Sequence, residues 1–383
     1  MVVVGGGNAA IVSALSARDQ GARVLVLERA PLVFRGGNSR HTRNIRCVHD
    51  HPDAYTPGVY GFGEMWADLC GIGGPGDERL AELTVRQSVS VPAWMSARGV
   101  RWQPPLNGTL HLGRTNRFFL GGGKALLNAY YRTAGRAGVE VAYESGVEAL
   151  RFDGDACVEV IVNAPDGRRR VRAGAVVCAS GGFEANIDWL RRYWGDAALN
   201  YHVRGPRYND GTVLAALLEH GAERAGEERG FHAVAVDARS PRFDGGIATR
   251  VDAIPFGIVV NRAGQRFCDE GEELWPKRYA TWGGHIALQP GQIAYALWDR
   301  KVLGRFIPPM YGAYQADSVA ALAGQLGMAP AAVRAAEDTV GVYNQAVDHG
   351  PGSRFDPAVL DGLGTAGLDP PKSNWAQRID TPP

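Results

Sequence analysis

The chain has 383 residues, of which 45% are hydrophobic and 21% charged, with 41 basic against 40 acidic side chains. That length exceeds one small core and fits a large domain plus a second, while a net charge near zero excludes a bulk field drawing it to nucleic acid or a membrane surface. No apolar run approaches the roughly 18 residues of a membrane span, so direct membrane insertion is not expected. The apolar start Met1–Val4 runs straight into glycines and does not read as a signal peptide. Cys47, Cys70, Cys157, Cys178 and Cys268 are odd in number, scattered and without a CxxC pair. That speaks against a disulfide framework or a metal site and for a reducing, cytoplasmic setting.

Met1–Val4 is a short β-branched run that reads as a buried parallel strand. Gly5-Gly-Gly7-Asn8-Ala9-Ala10 follows as G-x-G-x-x-A, then a helical stretch with Ile11, Ala14, Leu15 and Ala17 on one face. Gly21 closes it, and a second strand, Arg23–Leu27, ends at Glu28. Gly5 permits the tight strand-to-helix turn, Gly7 lets the backbone approach a pyrophosphate, and Ala10 keeps the helix close to the sheet. The helix N-terminus offers free N–H groups and a partial positive charge to phosphates. Glu28 can accept hydrogen bonds from ribose hydroxyls. The ordered series of strand, glycines, helix, strand and acid predicts dinucleotide binding, and the acid disfavours a 2′-phosphate, leaving NAD or FAD.

Three later features select FAD. Arg35–Asn44 is a polar, glycine-led loop where an NAD-binding chain would start another helix. Ala175–Ala179 reads as a buried strand ending in a second glycine turn, Ser180-Gly181-Gly182. Asn209-Asp210-Gly211 precedes an apolar helix, Val213–His220, capped by Gly221. Beyond about residue 230 the pattern changes: Val234–Asp237 and Ile258–Asn261 read as strands, Asn261–Gly264 as a hairpin turn and Ser318–Val347 as helical, with Pro308-Pro309 and His349–Gly352 as punctuation.

Together the Gly36–Ser39 loop, the Ala179–Phe183 turn and the Asn209–Gly211 turn resemble the flavoprotein family of fumarate reductase and succinate dehydrogenase. Arg35–His49, Gly121–Leu126 with Asn128–Tyr131, Asp269–Gly271 and Trp275–Tyr279 resemble its tricarballylate dehydrogenase branch, and the likeness runs along nearly the whole chain. The resemblance implies an α/β fold, a Rossmann-like FAD-binding domain with an inserted α+β capping domain. Residues 1–230 would be the first FAD-binding segment, 231–372 the capping and substrate domain, and 373–383 the start of a return into the FAD-binding domain. Because the family continues from there, the sequence is expected to be a fragment or to be completed by a partner chain.

The resemblance also implies roles. Gly5, Gly7, Asn8, Ala9 and Glu28 would hold the ADP portion of FAD, and Asn38 and Ser39 would lie by the pyrophosphate and flavin. Val147 would offer its backbone to adenine, Ala179 and Gly181 would flank the cofactor, and Asp210 would hydrogen-bond it. Some relatives attach FAD covalently through a histidine in the first loop; beside Arg40 and Arg43, His41 reads instead as an electrostatic or substrate contact. The reaction implied is dehydrogenation of a C–C bond in a polycarboxylate, tricarballylate to cis-aconitate, with hydride going to flavin N5 and an arginine assisting the proton. Arginine suits carboxylates because its planar fork binds them bidentately, and the chain offers Arg40, Arg43, Arg46, Arg114, Arg204, Arg207, Arg250 and Arg278. Arg278 is expected to move the proton with Glu270 or Glu272 as relay, since guanidinium otherwise keeps its charge; Arg250 and His232 are expected to contact substrate. Electrons would pass to a separate membrane-associated iron–sulfur or haem protein, because the chain has no cysteine cluster or CxxCH site. The alternatives on the same fold are a fumarate- or urocanate-type reductase, a 3-ketosteroid dehydrogenase, or a catalytically incomplete flavin-binding fragment.

Overall fold

A computed structural model describes residues 1–73, 76–106, 108, 110, 112–227, 229–347 and 356–383; the punctuation at His349–Gly352 lies outside them. The strands are β1 (Val2–Val4), β2 (Leu25–Leu27), β3 (Asn44–Arg46), β4 (Trp102–Gln103), β5 (Asn116–Phe119), β6 (Glu140–Ala142), β7 (Gly146–Asp153), β8 (Ala156–Ala164), β9 (Gly167–Arg172), β10 (Val176–Cys178), β11 (Ile258–Asn261) and β12 (Ala294–Leu297). The helices are α1 (Asn8–Asp19), α2 (Phe62–Gly73), α3 (Glu78–Gln87), α4 (Val91–Ala97), α5 (Leu112–Thr115), α6 (Gly122–Arg136), α7 (Ile187–Trp194), α8 (Thr212–Glu219), α9 (Trp275–Arg278), α10 (Trp282–Ala287), α11 (Val319–Gln325) and α12 (Pro330–Ala346).

A parallel sheet in the order β10-β1-β2-β6 organises the first part of the chain. Val3 pairs with Val177 on one side and Val26 on the other, and β-branched residues suit a strand covered on both faces. One face packs on α1 and α6, where Ala10, Ile11, Ala14 and Leu15 meet Leu126, Leu127, Tyr130 and Ala134. The other packs on the antiparallel β7-β8-β9 sheet and α8, where Val2, Val4 and Leu27 meet Val147, Val160, Val162 and Val213. Strand β10 is at the sheet's edge and only half-covered, with Cys178 exposed, whereas its apolar sequence reads as fully buried. An edge strand has one neighbour, and its C-terminal end faces an open cleft.

A second core forms around β11 and β12, which pair antiparallel. Ala253, Ile254, Phe256, Trp275, Trp282, Phe306 and Trp375 fill one side of it, and Val340 and Tyr343 of α12 fill the other. Val234–Asp237 is not a strand: only Val236 bridges, to Arg250. Its apolar residues instead seal a wall, with Ala233 bonded to Ala280 and Gly283 through the backbone. Asn261–Gly264 makes the turn its sequence suggests, with Gly264 at φ +80°, but β11 finds its long partner in β12 rather than across that turn. The final residues, read as starting back towards the FAD-binding domain, lie on the second core: Trp375 is buried there and Tyr343 Oη donates to Gln377 O at 3.0 Å.

Glu270 is spent inside this core. Its carboxylate pairs with Arg266 at 2.6 Å, both side chains being all but fully buried, and it accepts from the backbone N–H of Val259 at 2.7 Å. Arg266 in turn donates to the carbonyls of Pro370 and Pro371. This corrects the relay role expected of Glu270: the group fixes β11 to the tail and lines neither of the two cavities described below. Removing it leaves a buried guanidinium without its counter-charge, so Glu270→Ala is predicted to lower unfolding free energy by about 3–5 kcal/mol, read from urea unfolding curves.

Candidate active site

Strands β1 and β10 end side by side, held by the bond from Ala179 N–H to Val4 O at 2.8 Å. Gly5 there has φ +107°, and a Cβ on it would collide with the Ala179 carbonyl. Gly181 has φ +80°, and a Cβ on it would lie 2.8 Å from Asn209 Nδ2. Both glycines are thus required by backbone conformation and by close approach. Gly7 differs: its φ is −77°, and a Cβ on it would meet nothing closer than Gly36 O at 3.5 Å, so that side stays open.

The two turns and the N-terminus of α1 border a cleft of about 480 Å³, within the size range of small-molecule sites. Gly5, Gly7, Asn8, Ala9, Glu28, Asn38, Ser39, Val147, Ala179, Gly181 and Asp210, the whole set expected to hold FAD, line it. Glu28 is buried, and its oxygens accept from Ala30 N–H at 2.8 Å and Gly36 N–H at 3.3 Å; burial nonetheless raises its pKa above the ordinary carboxylate value. It therefore holds the glycine-led loop against the sheet as well as facing the cleft. Asp210 accepts from Thr212 N–H and Oγ1, and its other oxygen pairs with Arg29 from across the cleft. Ser39 Oγ accepts from Asn8 N–H at 3.1 Å, which ties the loop to the first turn of α1. An open helix N-terminus, a glycine where backbone must be bare, and a buried acid at the end of β2 fit the ADP half of a dinucleotide.

Asn38 and Glu184 also line a second cavity of about 850 Å³, between the first part of the chain and the second core. Its lining combines apolar Leu190, Leu199, Phe231, Ile286 and Ile293 with polar His41, His202, Arg204, His232 and Tyr279. Arg204 lines the cavity, and Arg43 and Arg250 lie close enough behind it to act on its charge. Burial and the like charge of Arg250 push Arg43 and Arg204 each down to about 10. Arg250 lies in a second row, paired with Asp252 at 2.6 Å and stacked 4.4 Å from the Tyr279 ring centre. Arg43 Nε and Nη2, Arg204 Nη1, His202 Nδ1 and the Tyr201 hydroxyl are buried polar atoms without a protein partner. His232 takes a 3.5 Å contact from Arg204 Nη2, and burial with the charges of Arg204 and Arg250 pushes its pKa down to about 4.

The structure thus sorts the expected catalytic residues. His232 stands on the cavity wall, and Arg250 stands behind Tyr279. Arg278 does not line the cavity; it is forked onto Glu272 at 2.9 and 3.1 Å, a third exposed. Among the eight candidate arginines, Arg204 is the one that lines the cavity, with Arg43 close behind it. Arg204 falls in an aperiodic stretch with no motif around it, and Tyr279 reads from sequence as core.

A dinucleotide cleft opening beside an anion-seeking cavity defines a flavoprotein-like arrangement. The FAD_binding_2 family (FAD binding domain) matches residues 1–289, and the chain belongs to that family; FAD is its cofactor. The NADH:fumarate oxidoreductase of Klebsiella pneumoniae (strain 342) is 26% identical over 313 residues, covering 79% of this chain and 32% of that protein. The probable fumarate reductase Ifc3 of Shewanella frigidimarina (strain NCIMB 400) is 25% identical, covering 93% of this chain and 60% of its own length. A KsdD-like steroid dehydrogenase, Rv0785, of Mycobacterium tuberculosis (strain ATCC 25618 / H37Rv) is 25% identical, covering 60% and 48%. The chain spans less than two thirds of each of these relatives. The open conformation of a flavocytochrome c3 fumarate reductase superposes with a TM-score of 0.71 at 21% identity, covering all of this chain and 64% of that one. The 3-ketosteroid delta1-dehydrogenase from Sterolibacterium denitrificans gives 0.72 at 18% identity, covering 100% and 85%. These two share the fold of this chain, and the named relatives are reductases and dehydrogenases.

The glycines yield a paired prediction. Gly7→Ala is expected to leave the melting temperature of the FAD-free protein unchanged while weakening FAD binding at least tenfold, because its Cβ enters only the cleft. Gly5→Ala is expected to lose both. Thermal melts and FAD fluorescence titration on the two variants check this, and equal FAD affinity for wild type and Gly7→Ala would place the pyrophosphate elsewhere.

Proposed function

We propose that this chain is an FAD-dependent oxidoreductase acting on a C–C bond of a polycarboxylate, with dehydrogenation of tricarballylate to cis-aconitate as the first candidate reaction. One observation supports this reading above others: of three guanidiniums beside the large cavity, Arg250 alone has a carboxylate partner, Asp252, and Arg43 and Arg204 keep buried donors unspent. Buried like charges without counter-ions are unfavourable, and a substrate bearing carboxylates relieves that cost on binding. In this reading Gly5 to Ala9, Glu28, Asn38, Ser39, Val147, Ala179, Gly181 and Asp210 hold FAD, whose bound isoalloxazine supplies the hydride acceptor. Arg204 anchors a carboxylate from the cavity wall, Arg43 and Arg250 keep the potential positive behind it, and that field acidifies the adjacent C–H bond. The apolar lining of Leu190, Leu199, Phe231, Ile286 and Ile293 limits water around the reacting carbons. Electrons then leave to a separate, membrane-associated protein.

The same apolar lining, with the steroid dehydrogenases among the relatives, favours ketosteroid dehydrogenation as the second reading. A neutral steroid would leave Arg43 and Arg204 uncompensated, which is why it ranks lower. The test is anaerobic mixing of FAD-loaded protein with each substrate. Tricarballylate is expected to bleach the flavin absorbance, with Arg204→Gln raising its Kd about 10- to 100-fold through loss of a charged hydrogen bond. An unchanged spectrum with tricarballylate sinks that substrate, and bleaching by a 3-ketosteroid alone would establish the other reading.

A further inference from the structure

The cavity wall carries three histidines, and their electrostatic surroundings differ. His232 faces the cations Arg204 and Arg250. His202 has an unpartnered Nδ1. His41 is the one of the three that meets a carboxylate, its Nε2 lying 3.2 Å from Asp244 Oδ1, with both side chains largely buried. The other charged groups acting on His41 are Arg40 and Lys124.

The loop that delivers Asp244 is built for the purpose. Asp244 itself has φ +62° and Gly246 has φ +70°, so a non-glycine residue is held in the left-handed region beside the site. A Cβ on Gly246 would come within 3.1 Å of His41 Nδ1, so the bare backbone is what lets the ring sit there. The loop is laced to the segment that carries Arg204: Val203 N–H donates to Arg242 O at 2.7 Å, Asp244 N–H to Gly205 O at 2.8 Å and Gly246 N–H to Arg204 O at 2.9 Å. The carboxylate partner of His41 and the cavity's arginine are therefore parts of one rigid unit.

We propose that His41 is the catalytic base of the dehydrogenation put forward above, with Asp244 as its positioning residue. Donation of Nε2–H to Asp244 leaves the Nδ1 lone pair free for substrate. The C–H bond beside the substrate carboxylate breaks heterolytically and its proton goes to Nδ1. Its electron pair forms the C=C bond as the neighbouring C–H leaves with its pair, as hydride, to the oxidised flavin of bound FAD. The substrate thus loses one proton and one hydride, and the protein is left with an imidazolium beside a carboxylate. Taking up a proton is stabilised at His41 by Asp244 and opposed at His232 by two guanidiniums, which decides between the two rings. Burial, with Arg40 and Lys124, keeps His41 unprotonated at rest, as a base must be.

This inference rests on the dehydrogenase reading, and its test has one arm that does not. Nitrogen-15 histidine spectra of the FAD-free protein are expected to show the His41 proton on Nε2, and Asp244→Asn is expected to lower the His41 pKa by about one unit. In the FAD-loaded protein, His41→Gln is expected to slow flavin bleaching by tricarballylate about 10²- to 10⁴-fold with its Kd little changed, a split that a merely structural role would not give. Normal FAD uptake by both variants shows that they fold. Wild-type bleaching rates in His41→Gln, a His41 pKa indifferent to Asp244→Asn, or flavin that stays with acid-precipitated protein through a covalent bond to His41 would each overturn the proposal. If wild-type flavin is not bleached at all, the substrate reading fails on its own, and the spectra still decide the His41–Asp244 pair.

Discussion

The arrangement depends on the closeness of two backbone turns. Strands β1 and β10 run parallel in register, Val2 beside Val176 and Val4 beside Cys178, so both chains reverse at the same height. The first turn tolerates no side chain where it meets the second: a Cβ on Gly5, at φ +107°, would strike the Ala179 carbonyl. Once they are adjacent, the free N–H groups of α1, the acid at the end of β2 and the Asp210 turn before α8 all converge on one cleft. A slip of one residue between β1 and β10 would flip the side chains of the strand and dismantle all three.

From that cleft, order is passed to the second cavity through a few polar contacts. Glu184 accepts from Asn38 of the glycine-led loop and from Asn209 beside Asp210, so the wall shared by the two spaces is a single hydrogen-bonded group. On the far side, Lys277 pairs with Asp68 at 2.8 Å and Glu64 at 3.1 Å, Arg114 pairs with Glu64, and Arg46 Nη2 donates to Pro276 O at 2.8 Å. The hydrogen bonds from Arg114 and Lys277 hold the Glu64 carboxyl down to about 2. This network binds α2 and β3 to the Trp275–Tyr279 turn, and Tyr279 is the residue against which Arg250 and His232 are packed.

What the sequence made legible follows from the range of the forces involved. The cleft was readable because a strand, a glycine turn and a helix are set by residues a few positions apart, and a backbone that must be bare can be written only as glycine. Helix α8 and the paired helices α11 and α12 were readable for the same reason. Val234–Asp237 was misread because its alternation serves to seal a wall, and whether such a stretch finds a strand partner depends on distant residues. The pairing of Glu270 and of Arg278 is long-range in the same way: each has an oppositely charged neighbour close in sequence, and which pair is buried and which is left at the surface is settled by β11 and the tail. Arg204 gave no local signal at all, since its place on the cavity wall is fixed by backbone bonds to residues 242–246.

The distribution of counter-charge carries the functional argument further than the count of charges can. Basic and acidic residues nearly balance over the whole chain, 41 against 40, yet the balance is not uniform in space. Arg29, Arg98, Arg114, Arg117, Arg239, Arg266 and Arg278 each pair with a carboxylate. Arg43 and Arg204 do not, and Arg250 shares its partner Asp252 with Trp275 Nε1. Two arginines with buried, unpartnered donors and no carboxylate beside a cavity concentrate a cost of desolvation where a ligand can relieve it. That pattern is invisible to net charge, and it asks for an anion at the place where His41, with Asp244 behind it, faces the same cavity.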